Sequence, residues 1–296
     1  MSTQDKIKEA IALVEEGLQS ITSEREWLNF LKFQSLFYQY SYSNAILIYL
    51  QNPEATYVKG YKAWNKLGRY VVKGGKGLKI LAPCYRKVEV FKEPENKAEY
   101  HQQEGEKEVK RVLSGFKITY VFDITDTAGS DEYLPVLVRG LSGNGDDVRE
   151  LYEKVLAVVS KEYPVQEVFK TASKGSYNLE TKQICVRGDM EYLQRLKSLC
   201  HEYSHAIHFM LRPEDDLSRA GRELVAEASA FIVCNRLGLD TSDYSISYLK
   251  SWMSESGDLK KVMDDIQKVA YTILTNLAES KDFASFHLQE DDTDEC

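Results

Sequence analysis

Apolar residues recur at three- and four-residue intervals over the first fifty positions, a spacing that predicts helices. Ile7, Ile11, Val14 and Leu18 line one side of a helix over 5–18. Ser23, with Glu26 three residues on, forms a capping box for a second helix carrying Trp27, Phe30, Leu31 and Phe37 on to Tyr40. Ser43-Asn44 opens a third, over 45–50, limited by Pro53. The period then shortens. Tyr57-Val58 reads as a strand, and 61–67 as a short helix closed by Gly68. Tyr70–Val72 and Leu78–Ala82 read as two strands of a hairpin whose turn holds three glycines.

Residues 92–112 are charged and poor in apolar residues, which predicts a solvated loop or hairpin tip. Phe116–Asp123 alternates again and returns to the sheet. From 125 to 146 the chain carries Asp, Thr and Gly clusters around a short apolar run, the pattern of a linker. Asp146 and Asp147 cap a helix from Val148 to about Ser160. Short strands follow at Val165–Phe169, Ser176–Leu179 and Gln183–Val186. Helical spacing resumes from Met190, again over 221–234, around Ser247–Met253, and over 258–278 with Val262, Ile266, Val269, Ile273 and Leu277 as the buried stripe. The chain ends in an acidic tail, 290–296.

Charge divides this layout in two. The net charge is −8 over 296 residues. Residues 1–125 hold 19 Lys/Arg against 15 Asp/Glu, and the remainder 19 against 31. The five cysteines are scattered without a C-x-x-C pair, no run approaches membrane-helix length, and Met1–Asp5 lacks a basic, then apolar leader. These features predict a cytoplasmic protein with reduced thiols and no membrane partner.

Between Lys59 and Lys87 there are nine Lys/Arg and no Asp/Glu, interleaved with aromatics. Cations that follow phosphates and rings that stack on bases suit single-stranded nucleic acid. The candidate contacts are Lys59, Tyr61, Lys62, Trp64, Arg69, Tyr70, Lys73, Lys76 and Lys79. A solvated basic face over core aromatics is an equally ordinary reading of the same pattern.

The most specific chemistry is His201-Glu202-Tyr203-Ser204-His205, on the helix that begins near Met190. Four residues apart on a helix, His201 and His205 offer two imidazoles to one ion, with Glu202 beside them as the base for a water that the ion acidifies. Three of the chain's five histidines fall within these eight residues. The third, His208, lies seven residues from His201, about 10 Å along a helix axis, too far to share one ion with it. The next helix carries Glu223 and Glu227 on one face of an otherwise apolar segment. We read Glu223 as the third ligand and Glu227 as holding a ligating histidine by its free N–H; spacing alone favours that assignment only slightly over the reverse. Zn2+ suits the ligand set, and another divalent ion such as Mn2+ is compatible with it.

Taken in order, the two halves resemble the ArdC-type antirestriction proteins of conjugative plasmids and related mobile elements. The N-terminal resemblance rests on Tyr42-Ser43-Asn44-Ala45, 51–56, Gly60-Tyr61-Lys62-Ala63-Trp64, Gly68-Arg69, Lys73-Gly74 with Lys76-Gly77, and Val121-Phe122-Asp123. The C-terminal one rests on the H-E-x-x-H stretch followed by Glu223-Leu224-Val225-Ala226-Glu227. The resemblance implies an N-terminal domain that binds single-stranded DNA, a C-terminal zincin-like metallopeptidase domain, and protection of incoming DNA from host restriction. The C-terminal half is similar to zincins of the ImmA/IrrE type, in which a Glu in an E-x-x-A context is the third ligand, and this favours Glu223. Tyr203 and the charged stretch 92–112 depart from the usual pattern. The expected fold class is α+β in two domains. A DNA-binding domain of helices plus a small antiparallel sheet spans 1–125, a linker 126–145, a zincin-like metallopeptidase domain 146–285 and an acidic tail 286–296. The expected partners are single-stranded DNA and an unknown protein substrate. The alternatives are a DNA-binding protein with a structural metal and no proteolysis, or a regulatory peptidase that cleaves a repressor.

Overall fold

A computed structural model describes residues 2–21, 23–91, 107–132, 134, 145–214, 216–241 and 259–283. The fold is α+β. Helices α1 (Thr3–Ser20), α2 (Glu24–Leu36) and α3 (Tyr42–Gln51) come first. Ser2 and Ser23 each cap their helix through a reciprocal capping box, with Asp5 and Glu26 respectively. Strand β1 (Val58–Gly60), helix α4 (Tyr61–Lys66) and strand β2 (Arg69–Val71) follow. The long strands β3 (Leu78–Phe91) and β4 (Lys107–Asp123) come next, and then the short β5 (Thr127–Gly129). The second half comprises α5 (Gly145–Val159), β6 (Val165–Val168), β7 (Gly175–Asn178), β8 (Gln183–Arg187), α6 (Tyr192–Leu211), α7 (Arg219–Arg236) and α8 (Leu259–Ala278). Among the described residues no helix is long and apolar enough to cross a membrane.

The strands form three small sheets, ordered β1-β4-β3, β2-β5 and β6-β8-β7. Two sequence expectations change here. Tyr70–Val72 does not form a hairpin with Leu78–Ala82. Arg69–Val71 pairs instead with Thr127–Gly129, while β3 pairs with β4 from Leu78 opposite Val121 to Phe91 opposite Lys107. The glycine-rich turn is thus a crossover between sheets, with Gly74 at φ +92. Strand structure also runs into the charged stretch and into the expected linker, through Lys107–Val112 and Thr127–Gly129. The expected helix around 247–253, the acidic tail and residues 92–106 lie outside the described residues.

Polar side chains bolt the N-terminal half together. From α3, Asn44 accepts the Leu81 N–H at 2.9 Å and donates to the Leu81 carbonyl at 3.0 Å. One helical repeat on, Gln51 does the same for Lys79, at 2.9 Å in both directions. The two amides act as a substitute strand along the outer edge of β3 and blunt it against pairing with another chain. Asp123, fully buried, accepts from the backbone N–H of Thr56, Tyr57 and Thr125 and from the Thr125 hydroxyl.

One apolar core joins the two halves. It combines Trp27, Phe30 and Leu31 of α2 with Phe231 and Ile232 of α7 and Val269 and Ile273 of α8. Polar contacts cross the same seam: Gln34 Nε2 donates to Gln267 Oε1 at 2.6 Å, and the Ser35 hydroxyl to Asn235 Oδ1 at 2.7 Å. A smaller cluster under the N-terminal sheet holds Phe33, Phe37, Ile48, Val58, Leu78 and Val121.

Because the buried Asp123 satisfies three backbone donors, Asp123→Ala should cost about 3 kcal/mol in urea unfolding. Asp123→Asn, which keeps one acceptor oxygen, should cost less. A loss below about 0.5 kcal/mol for the alanine variant would contradict this role.

Candidate metal centre

Helix α6 buries Leu196, Leu199, Cys200, Tyr203 and Ile207 and turns His201, Glu202 and His205 toward a cleft of about 580 Å3. Helix α7 packs beside it, with Glu227 against Lys197 and His201 and Cys234 against Cys200. That close approach brings Glu223 to both histidines. Glu223 Oε2 lies 3.5 Å from His201 Nε2 and 3.6 Å from His205 Nε2. Among the described residues these three side chains form the only cluster of metal-ligand type, with their ligand atoms all within 4.8 Å of one another. Tetrahedral zinc bonds of about 2.0–2.1 Å place ligand atoms roughly 3.3 Å apart, so the donors fit a divalent ion with small adjustments. The two imidazoles stand nearly perpendicular, at 82°.

The surrounding groups orient the ligands. Glu227 Oε2 is 3.2 Å from His201 Nδ1, which leaves Nε2 as the ligating atom. Lys197, one turn before His201, holds the other Glu227 oxygen at 2.6 Å. Glu202 is buried, and the Tyr177 backbone N–H donates to it from β7. Gly175 leaves it room: a Cβ there would lie 2.8 Å from Glu202 Oε1.

Charge follows from this packing. Burial, with Glu223 nearby, pushes the Glu202 carboxyl up to about 7 against the opposing pull of His201. Such a group can both take and return a proton near neutrality. Burial opposes charge on His201, yet its contacts with Glu223 and Glu227 outweigh burial and raise it to about 9. Burial also pushes Glu227 up, but His201 and Lys197 prevail and bring it down to about 2. The histidines hold Glu223 well below the usual carboxylate range. His205 is lowered, chiefly by burial.

His208 lies away from the cluster. It is buried against Asp265 of α8, with Nε2 and Oδ2 3.4 Å apart, and Arg212 Nε donates to the same carboxylate at 2.9 Å. This is a brace between α6 and α8.

The nine candidate nucleic-acid contacts separate into two groups. Trp64 and Arg69 are buried. The Trp64 indole donates to the Phe122 carbonyl at 2.9 Å, and Arg69 donates through Nε to Thr127 Oγ1 at 2.9 Å and through Nη2 to the Thr127 carbonyl at 3.1 Å. Lys59 is also buried, its ammonium 5.2 Å from the Tyr57 ring. These three hold the sheet together, because a run of basic and aromatic letters does not say which of them face inward. Tyr61, Lys62, Tyr70, Lys73, Lys76 and Lys79 are exposed. The sequence reading missed Phe116 and Tyr120, exposed on β4, with Tyr120 directly opposite Lys79. The alternation Phe116, Ile118, Tyr120 was the available signal.

Residues 3–122 match the family model described as the N-terminal domain of anti-restriction factor ArdC. The N-terminal resemblance read from the sequence is borne out by that match, and the metal cluster lies outside it. The uncharacterized protein pXO2-81 of Bacillus anthracis is 26% identical over 303 residues, covering 91% of this chain. The chain spans 51% of the length of that relative. Two crystal structures of the antirestriction ArdC protein from plasmid R388 are similar to it. The metal-free one is 20% identical with a TM-score of 0.45, and the Mn(II)-bound one 21% with a TM-score of 0.48. Each match covers 82% of this chain and 86% of the other.

In metal-free protein, His201 should titrate near pH 9 in an NMR pH series, against 6.5 for an ordinary imidazole. Its contacts with Glu223 and Glu227 then stabilise the metal-free fold fully below about pH 6.5, and that contribution is lost as pH rises through about 9. Titration of His201 near 6.5, or metal-free stability that does not fall over this window, would contradict the geometry.

Proposed function

We propose that this chain is an antirestriction protein of ArdC type, with a single-stranded DNA face on its N-terminal half and a metal-dependent peptidase site on its C-terminal half. The observation that carries the peptidase reading is the convergence of His201, His205 and Glu223 at the floor of an open cleft, with Glu202 beside them. A structural metal site is closed by four protein ligands, whereas three ligands facing a cavity leave a position for reactants. That openness favours hydrolysis over a purely structural metal.

His201, His205 and Glu223 would hold the ion, and Zn2+ and Mn2+ both suit them. A divalent ion there supplies a Lewis acid that acidifies water and polarises a carbonyl. Glu202 takes the proton from the attacking water and returns it to the leaving amine. Gly175 and the Tyr177 N–H keep its carboxylate aimed into the cleft. Glu227, steadied by Lys197, keeps His201 in the tautomer that ligates through Nε2. An extended peptide has a place to lie along β7, whose outer edge has no strand partner among the described residues. Gln183–Val186 lies in β8, which is flanked by β6 and β7 and has no open edge for a peptide.

For DNA, the exposed Lys73, Lys76 and Lys79 would follow phosphates while Tyr61, Tyr70 and Tyr120 offer stacking faces. Protection of incoming DNA would then combine coverage of the single strand with cleavage of a protein target.

Two experiments test these readings. Metal analysis of the purified protein should find about one divalent ion per chain, lost when His201 and His205 are both replaced by Ala. Glu202→Gln should keep the metal and lower peptide hydrolysis on the order of a hundredfold or more. Retained metal in the double variant would remove the site, and full antirestriction by Glu202→Gln would point to DNA coverage alone. For the DNA face, replacing Lys73, Lys76 and Lys79 by Ala should reduce the salt slope of single-stranded DNA binding by about 2. An unchanged slope would move the DNA elsewhere.

A further inference from the structure

The geometry points to an acidic preference in the cleft: the peptide it accepts carries Asp or Glu side chains beside the bond presented to Glu202. This rests on the peptidase reading above and extends it to the charge of the substrate.

The warrant is the placement of charge on the cleft walls. The carboxylates that line it are Glu202, Glu223 and Glu227, all belonging to the ligand cluster and its immediate support. The cations are Lys174, Lys197, Arg219 and Arg222. Lys197 closes on Glu227. The other three line the cleft outside the cluster and come from two different segments of the chain. Lys174 immediately precedes β7, while Arg219 and Arg222 stand on the first turn of α7. Arg222 Nη1 donates to the Leu217 carbonyl at 2.7 Å, which steadies its guanidinium against the wall. Lys174 and Arg219 have no carboxylate partner among the described residues.

This segregation runs against composition. Residues 126–296 hold 31 Asp/Glu against 19 Lys/Arg, yet among the described residues no carboxylate lines the cleft away from the cluster. A divalent ion at the cluster would add charge of the same sign. A concave wall of one sign focuses its field into the opening and raises the local concentration of the opposite charge. A nucleic-acid strand would meet the same cations. The open edge of β7 favours a peptide, because a strand edge offers backbone donors and acceptors that pair with an extended main chain.

The test uses the full chain loaded with Zn(II) and three dipeptide hydroxamates, which differ only in carrying a Glu, Ala or Lys side chain next to the chelating group. Their dissociation constants are measured by calorimetry at low and high salt. The Glu probe should bind on the order of tenfold tighter than the Ala probe at low salt, and the Lys probe more weakly than either. The order should invert in the double variant Lys174→Glu, Arg219→Glu. Equal affinities in the unmodified protein, or an unchanged order in the double variant, would overturn the inference while leaving the peptidase reading in place. Failure of all three probes to bind metal-loaded protein would overturn the peptidase reading, and the inference with it. Displacement of the Glu probe by a short single-stranded oligonucleotide more effectively than by a Glu-rich peptide would assign the cations to nucleic acid and overturn the inference.

Discussion

The close packing of α6 on α7 is the constraint on which the site depends. Two histidines one turn apart can be written onto any helix, but they make a three-ligand cluster only if a third donor arrives from outside at the same height. The two helices lie in extensive contact, with the small Cys200 of α6 against Cys234 of α7. Glu223 then reaches both imidazoles at 3.5 and 3.6 Å. A larger side chain along this seam would force backbone shifts that cost roughly 1–3 kcal/mol and move Glu223 relative to the histidines. The brace of His208 and Arg212 on Asp265 fixes the far end of α6 against α8.

The same packing concentrates carboxylates where water is scarce. Glu202, Glu223 and Glu227 sit within one cleft, and burial penalises the charge on each of them. Their fates differ because their partners differ. Glu223 and Glu227 meet imidazole and ammonium donors and remain ionised. Glu202 has the Tyr177 N–H and the neighbouring His201 on one side and the charge of Glu223 on the other, so burial prevails. A cluster of this kind carries two groups suited to binding a cation and one suited to moving a proton, and position alone makes the distinction.

Much of this was legible in the chain. The histidine spacing, the capping boxes at Ser23 and the buried stripe of 262–277 follow from period and chemistry, and the structure has each of them in place. Glu223 and Glu227 could be placed on one face, and spacing favoured Glu223 only slightly, since a firm ranking requires the height of α7 relative to α6. Strand partners were not legible. Tyr70–Val72 has the alternation of a strand, but alternation carries no address, and β5 lay in what reads as a linker. The motif letters of the N-terminal half were misread in an instructive way. Trp64 and Arg69 invite a nucleic-acid reading as large cationic and aromatic residues, yet an indole N–H and a guanidinium are also the groups best able to tie distant carbonyls in a thin sheet. Asn44, Gln51 and Asp123 belong with them, as replacements for strand partners that the small sheet lacks.

The opposite charges of the two halves suggest that attraction between them holds the molecule together, but the seam argues otherwise. An ion pair across it, Lys32 with Asp240 at 3.3 Å, is exposed on both sides, and such pairs contribute little. The seam itself is apolar, with Trp27, Phe30 and Leu31 against Phe231 and Ile232. Burial of that area is insensitive to salt, whereas phosphate binding weakens steeply as salt rises. The joint between the two halves is therefore expected to hold as salt rises. Helix α7 carries Glu223 and Glu227 toward one end and, at the other, Asn235 and Arg236, which meet Ser35 and Tyr38. One helix thus runs from the His201, His205 and Glu223 cluster to α2, which packs under the N-terminal sheet.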